Sequence, residues 1–139
     1  MKRTLLTLAV AATAAAAGTP AFASATPSNG IVYTVTANDG AGLVGTCNIV
    51  ADRWTADYGP TTVNAVAVAA VAVRTSIRCT VTKNGTTYVD TSRTANDSVV
   101  TIVNEGNGTI PVAGIQVCVE VDSQLTVDSH PSARSCISG

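Results

Sequence analysis

The sequence has few of the residues on which most catalytic and nucleic-acid-binding sites depend. Its 139 residues include one histidine, one tryptophan and one phenylalanine, and charged residues make up only 12%. The 8 basic and 9 acidic side chains leave a net charge of -1, which argues against nucleic-acid binding because such proteins carry a basic excess. Hydrophobic residues reach 46%, so a disordered, charge-driven chain is excluded as well.

The recognisable motifs of catalysis and metal binding are also missing. Neither GxSxG nor HExxH occurs, and no CxxC pair is present. His130 lies between Ser129 and Pro131, and we expect it to be an exposed turn residue. Glu105 and Glu120 are the two glutamates. The segment 104–108 resembles a calcium-binding loop only weakly. We therefore predict a protein that is not an enzyme, with no catalytic residue, no metal and no cofactor.

The first 25 residues have the layout of a secretory signal peptide. Lys2 and Arg3 form a positive start, and residues 5–17 form an apolar run without charge. A membrane anchor is the alternative, but this run is shorter than the roughly 20 residues needed to cross a bilayer. Small-residue cleavage sites end at Ala23 and at Ala25, and cleavage after Ala25 is favoured. We expect a secreted mature domain of residues 26–139, without membrane insertion.

The composition of this mature part favours an all-β fold. Valine and threonine fill about a third of it, and such β-branched residues pack well on a pleated sheet. Alternating apolar and polar positions, separated by turn residues at regular spacing, predict an antiparallel β-sandwich of about seven strands. The predicted strands are 31–37, 43–55, 62–82, 86–92, 98–103, 110–122 and 132–138.

Four segments between or within these strands carry more specific expectations. Asn84-Gly85 is a strong hairpin signal, because a type I′ turn needs positive φ at both central residues. We predict a break near Ala69-Ala70 and a loop at 104–108. The uncharged tract Val63 to Val73 is expected to be a central strand, and the alternative is an exposed edge. Asn64 and Arg74 would then flank it as gatekeepers.

Four cysteines in a small exported domain predict two disulfides. Cys47 and Cys79 share the apolar faces of their strands, whereas Cys118 and Cys136 share polar faces. Because cysteines on unlike faces cannot meet without a bulge, the pairing Cys47–Cys79 with Cys118–Cys136 is preferred. The other pairing that we considered is Cys79–Cys118 with Cys47–Cys136.

The scarcity of aromatic residues makes two of them candidates for a binding surface. Trp54 falls on the polar face of its predicted strand, and Tyr58 follows in the next turn. Exposed aromatic side chains beside polar groups can stack on sugar rings or anchor a protein partner. The alternative is that Trp54 closes one end of the sandwich as a buried side chain.

Several short segments together resemble a known group of proteins. They are residues 76–81 (SIRCTV), Asn84-Gly85, residues 117–120 (VCVE) and Cys136. Over roughly residues 70–138 the chain resembles small exported actinobacterial proteins with immunoglobulin-like β-sandwiches. The resemblance implies an immunoglobulin-like fold and carries over no catalytic or binding residue.

These features favour a secreted, non-enzymatic module for binding, adhesion or surface structure. Its partner would be a protein or a glycan at the cell exterior. One alternative is an inhibitor of a secreted hydrolase that uses the segment Asp57 to Pro60 or the segment Asn104 to Gly108. The other is a carbohydrate-binding module that uses Trp54 and Tyr58.

Overall fold

The computed structural model describes residues 5–6, 24–25, 30–53, 58–111 and 113–139, and the secondary structure in these ranges is all β. The predicted signal peptide falls mostly outside them, apart from an antiparallel pairing of Leu5–Leu6 with Ser24–Ala25. The domain itself contains eight strands: β1 (Gly30–Asn38), β2 (Val44–Arg53), β3 (Tyr58–Val68), β4 (Arg74–Lys83), β5 (Thr86–Ala95), β6 (Val99–Asn107), β7 (Gln116–Gln124) and β8 (Ser132–Ser138).

The eight strands form two four-stranded antiparallel sheets. Sheet I has the order β1-β2-β3-β6, and sheet II has the order β8-β7-β4-β5. The chain changes sheets between β3 and β4, between β5 and β6, and between β6 and β7. The prediction of an all-β sandwich is therefore confirmed, with eight strands rather than about seven.

The core lies between the sheets and is made of side chains from alternate positions of each strand. On β2 these are Cys47, Ile49 and Ala51, and on β4 they are Ile77, Cys79 and Val81; all are buried. This period-two pattern is expected of strands with one face turned inward. Most of these side chains are small, so the two sheets can approach closely where Gly45 of β2 faces Val121 of β7.

The predicted disulfide pairing is confirmed. Cys47–Cys79 joins β2 to β4 across the core, with 5.9 Å between the two Cα atoms. Cys118–Cys136 joins the neighbouring strands β7 and β8, whose two cysteines are direct register partners. The parity of each strand decides this pairing, because cysteines on like faces can meet within a sheet or between sheets, whereas cysteines on unlike faces cannot meet without a bulge.

The first part of the valine- and alanine-rich tract is a central strand, as predicted, but residues 69–73 lie in the following loop, where Val71 and Val73 are exposed. Residues Val63 to Val68 belong to β3, which pairs with β2 on one side and β6 on the other, and all are buried. Asn64 has a structural role rather than that of a gatekeeper, because its Oδ1 accepts the backbone N–H of Asn104 at 2.8 Å. The strand ends at Val68, which confirms the predicted break.

Several predicted boundaries were wrong, among them the start of β3 at Tyr58 and the end of β5 at Ala95, and two of the errors have identifiable reasons. Residues 104–107 continue β6 through a β-bulge instead of forming a loop, and Asn104 adopts φ 48°, a conformation that asparagine tolerates. In addition, β7 begins at Gln116 rather than at residue 110. Pro111 lacks an N–H for a sheet ladder, and Gly114 has φ 75°, so both oppose an extended strand there.

The close approach at Gly45 generates a stability prediction. A Cβ added to Gly45 would overlap the Val121 side chain, so Gly45→Ala should lower the free energy of unfolding by about 1–3 kcal/mol through overpacking. The matched control is Gly106→Ala on β6, where an added Cβ meets no atom within 4 Å. Urea denaturation of both variants checks this, and equal stabilities would contradict the sheet spacing described above.

Candidate binding surface

The outer face of sheet II carries a row of paired charges. The Arg78 guanidinium donates to both carboxylate oxygens of Asp90, at 2.8 and 2.7 Å. This hydrogen bond, reinforced by the positive charge, lowers the pKa of Asp90 below its ordinary value of 3.8 and raises the pKa of Arg78. Next along the row, Glu120 accepts from Arg134 Nε at 3.1 Å. These charges neutralise each other, which is typical of a solvated sheet face.

The two glutamates lie on strands of different sheets. Glu105 lies on β6 of sheet I and pairs with Arg93 of β5 at 3.4 Å, whereas Glu120 lies on β7 of sheet II. Asn107, from the segment that echoes a calcium loop, donates to Thr91 Oγ1 at 3.1 Å. Both contacts join the edges of the two sheets. Within the described ranges, no three His, Cys, Asp or Glu side chains form a group that could hold a metal ion.

The outer face of sheet I differs from that of sheet II in its chemistry. It is built mainly from threonine, asparagine and valine, and neighbouring side chains bond to one another. The hydroxyls of Thr36 and Thr46 lie 2.9 Å apart, and Thr34 Oγ1 donates to Asn48 Oδ1 at 3.4 Å. These cross-strand contacts stabilise the sheet.

Exposed apolar side chains concentrate at one end of the sandwich. Val71 and Val73 lie in the β3–β4 loop and are 75% and 59% exposed, while Leu125 and Val127 lie in the β7–β8 loop and are 37% and 81% exposed. We call these four residues the apolar loop patch. Since most large apolar side chains of a small domain are buried, such a concentration marks a candidate interaction surface.

Backbone contacts bring the two loops of the patch together. Arg74 pairs with Gln124 in the register of sheet II, and the Val73 N–H donates to the Gln124 carbonyl at 2.9 Å. The loops on either side also contact the β3–β4 loop. The Ala69 N–H donates to the Ser98 carbonyl at 2.8 Å, and Gly42 packs closely against Ala70. The patch therefore stands on a connected set of loops.

The turn that carries Val127 has its own network of hydrogen bonds. The Leu125 N–H donates to the Ser129 carbonyl at 2.9 Å, and the Ser129 N–H donates to the Thr126 carbonyl at 3.3 Å. His130 is exposed, as expected, and its Nε2 lies 3.1 Å from the Val127 carbonyl. The histidine is therefore part of the turn, and Val127 projects from a locally ordered backbone.

Of the two aromatic residues singled out from the sequence, the structure locates only the backbone of Tyr58. Trp54 falls outside the described residues. The prediction that Tyr58 lies in a turn was wrong, because Tyr58 begins β3; only its backbone is described. The patch follows Val68 at the other end of the same strand, roughly 30 Å away at the usual rise per residue. Burial of Trp54 and stacking by Trp54 and Tyr58 both stay predictions.

Sequence reasoning missed the patch because it continued the alternating pattern of β4 back through Val71 and Val73, which precede the strand. Val71 and Val73 share the parity of Thr75 and Ile77, which predicts an inward position, but β4 begins only at Arg74. Leu125 and Val127 were not singled out. A usable signal was present, since Leu125 and Val127 sit beside the turn residues Asp128 and Ser129, where an apolar side chain has no strand to bury it.

The Arg78–Asp90 pair generates a pH prediction. Because the pKa of folded Asp90 is lower than that of the unfolded chain, its stabilisation is present above the unfolded value and is lost as the pH falls through the folded pKa. Asp90→Asn should therefore lower the melting temperature slightly at neutral pH, and this deficit should shrink when the pH is lowered to about 2, below the ordinary value of 3.8. Thermal unfolding at both pH values checks this, with Asp128→Asn as the control. A deficit at low pH as large as that at neutral pH would contradict the account.

The chain was also compared with known proteins. No family model, no curated protein and no solved structure matches it. The resemblance to exported actinobacterial proteins is therefore neither supported nor contradicted by these comparisons.

Proposed function

We propose that this chain is a secreted, non-enzymatic binding module that contacts a protein partner through the apolar loop patch. The observation that carries the proposal is the concentration of Val71, Val73, Leu125 and Val127 on two adjacent loops at one end of a disulfide-linked sandwich. Loops on a rigid scaffold are a common place for binding residues.

The order of the strands supports an immunoglobulin-like assignment of the fold. The run β2-β3-β6 of sheet I has the order of strands A, B and E, and the run β5-β4-β7-β8 of sheet II has the order C′, C, F and G. By this correspondence, β1 is an additional strand. The inter-sheet disulfide differs from the antibody pattern, because it joins the equivalents of A and C rather than B and F.

The same correspondence gives the patch a functional parallel. The β3–β4 and β7–β8 loops take the positions of the B–C and F–G loops, which form part of the antigen-binding end of antibody variable domains. This is an analogy at the level of the fold, so a binding function has to be argued from the residues of the two loops. Here they present valine and leucine rather than the tyrosines of an antibody.

The surroundings of the patch favour a protein as the partner. Apolar side chains are surrounded by polar and charged ones, among them Arg74, Asp128 and Ser129. An apolar centre with a polar rim is the usual build of a protein–protein contact. The hydrogen-bonded turn at Leu125–Ser129 also reduces the loss of conformational entropy when a partner binds.

The proposed location is the cell exterior. Two disulfides are present, and such bonds persist in oxidising compartments. Among the described residues, no helix has the length and apolar character needed to cross a membrane. With the signal-peptide layout of residues 1–25, these observations support export and a partner outside the cell.

Inhibition of a secreted hydrolase is the second candidate. Its support is Val127, which an ordered turn presents as the most exposed large apolar side chain among the described residues. The segments first considered for this role are less suitable, because Tyr58 to Pro60 and Asn104 to Asn107 belong to strands. Inhibition would use the same patch, with an enzyme cleft as the partner surface.

The proposal is tested by comparing capture of surface and culture proteins by three immobilised forms of the oxidised domain. These are the wild type, a Val71→Ser/Val127→Ser double variant, and a Val103→Ser control. Val103 is 67% exposed and lies on β6, away from the patch. Loss of two apolar anchors should weaken the affinity for the captured partner at least about tenfold. The control should bind like the wild type.

The readout separates the candidate functions. Biosensor titration of each form with the captured partner gives the affinities, and melting temperatures verify that the variants fold. Equal binding by the double variant and the wild type would contradict the use of the patch. Quenching of Trp54 fluorescence by soluble glycans, with the double variant unaffected, would favour carbohydrate binding instead. Loss of activity of the captured protein would identify the partner as an inhibited hydrolase.

A further inference from the structure

The two disulfides of this domain occupy different chemical environments. Cys47 and Cys79 are buried between the sheets among apolar side chains. Cys118 and Cys136 face outward from sheet II, where Cys118 is buried and Cys136 is only half-buried. An attacking thiolate must approach a disulfide sulfur directly, so the outer bond is the more accessible of the two.

The outer disulfide is also the less important for holding the sheets together. β7 and β8 are adjacent in sequence and pair through seven register positions, from Ser132 with Asp122 to Ser138 with Gln116. The backbone of Gly139 adds hydrogen bonds to Gly114 and Ile115 at 2.9–3.2 Å. Opening Cys118–Cys136 therefore leaves this strand pair in place, whereas Cys47–Cys79 is a covalent link between the two sheets.

A cationic side chain lies against one sulfur of the outer bond. Arg134 Nη2 is 3.5 Å from Cys118 Sγ, and Arg134 Nε donates to Glu120 at 3.1 Å, which holds the guanidinium in this position. A positive charge beside a sulfur stabilises the thiolate, and a more stable thiolate is a better leaving group in exchange. Glu120 partly offsets this charge, and Arg78, its register partner on β4, is itself paired with Asp90.

We propose that Cys118–Cys136 is a site of thiol–disulfide exchange with small thiols, while Cys47–Cys79 is the permanent structural bond. A thiolate attacks Cys136 Sγ and forms a mixed disulfide with it, and the S–S bond breaks to release Cys118 as a thiolate beside Arg134. A second thiolate attacks the sulfur of the small thiol in the mixed disulfide. It releases the Cys136 thiolate and leaves the small thiol as its own disulfide. Two electrons pass from the two small thiols to the protein, and the protein thiolates take up protons from solvent.

Through this reaction, the oxidation state of Cys118 and Cys136 would follow the concentration of small thiols around the protein. Exchange that stops at the mixed disulfide attaches a small thiol to Cys136, on the outer face of the edge strand β8. This face is separate from the apolar loop patch, so the exchange does not depend on the proposed binding function.

The test treats the oxidised, folded protein with reduced glutathione and quenches samples with iodoacetamide at successive times. Peptide mass spectrometry then gives the labelling of each cysteine. Cys118 and Cys136 should react at least about tenfold faster than Cys47 and Cys79, because exposed disulfides exchange more readily. Arg134→Gln should slow the outer reaction about two- to fivefold, the range expected for one exposed charge.

Two controls separate exchange from unfolding and from general effects of charge. Arg93→Gln removes an arginine that pairs with Glu105 at the other edge of the sandwich, and it should react like the wild type. Cys118→Ser/Cys136→Ser should keep the β-sheet circular-dichroism spectrum of the wild type. Simultaneous labelling of all four cysteines would overturn the proposal, as would an Arg134→Gln variant that reacts as fast as the Arg93→Gln control.

Discussion

The covalent bond between Cys47 and Cys79 is the constraint on which the rest of this structure depends. It crosses the core from β2 to β4, the inner strands of two different sheets, and both cysteines are buried. The side chains around it are mostly valine, alanine and isoleucine, so each contributes only a modest area of apolar contact. In a small domain with such a core, a cross-link between the layers supplies stability that larger side chains would otherwise provide.

The faces and the ends of this sandwich differ in their surface chemistry. The sheets present their inner faces to each other, and the outer face of sheet II balances its charges through pairs such as Arg78–Asp90. The four residues of the apolar loop patch neither fill the core between the sheets nor belong to these charge pairs. The apolar loop patch occupies one end, where a hydrogen bond from Val73 to Gln124 joins two loops from different parts of the chain. The proposed binding function rests on this apolar patch at one end of a layered scaffold.

Much of the fold follows from residue alternation along the strands. The parity of Cys47, Cys79, Cys118 and Cys136 is sufficient to identify both disulfides, since a side chain's face is a local property of its strand. The Asn84-Gly85 turn was equally predictable, and both residues have positive φ, 49° and 82°. Strand ends were less predictable. Alternation continues through Val71 and Val73 in the sequence, but the chain has to leave sheet I there to reach sheet II.

The candidate site was harder to predict than the fold for the same physical reason. An exposed valine in a loop has the same chemistry as a buried one in a strand, and for Val71 and Val73 only the three-dimensional position distinguishes the two cases. The bulge at Asn104 is a related case, because its stabilising contact with Asn64 joins residues 40 positions apart. Contacts at such separations depend on the pairing of β3 with β6, which no local pattern specifies.

Equilibrium urea denaturation of a Cys47→Ala/Cys79→Ala variant is the most direct test of the central role of the inter-sheet bond. The closed loop spans 32 residues, and constraining a loop of this length stabilises a protein by about 3–4 kcal/mol. We expect the variant to lose at least this much free energy of unfolding. A variant within about 0.5 kcal/mol of the wild type would contradict this account, because the two sheets would then be held together without their covalent link.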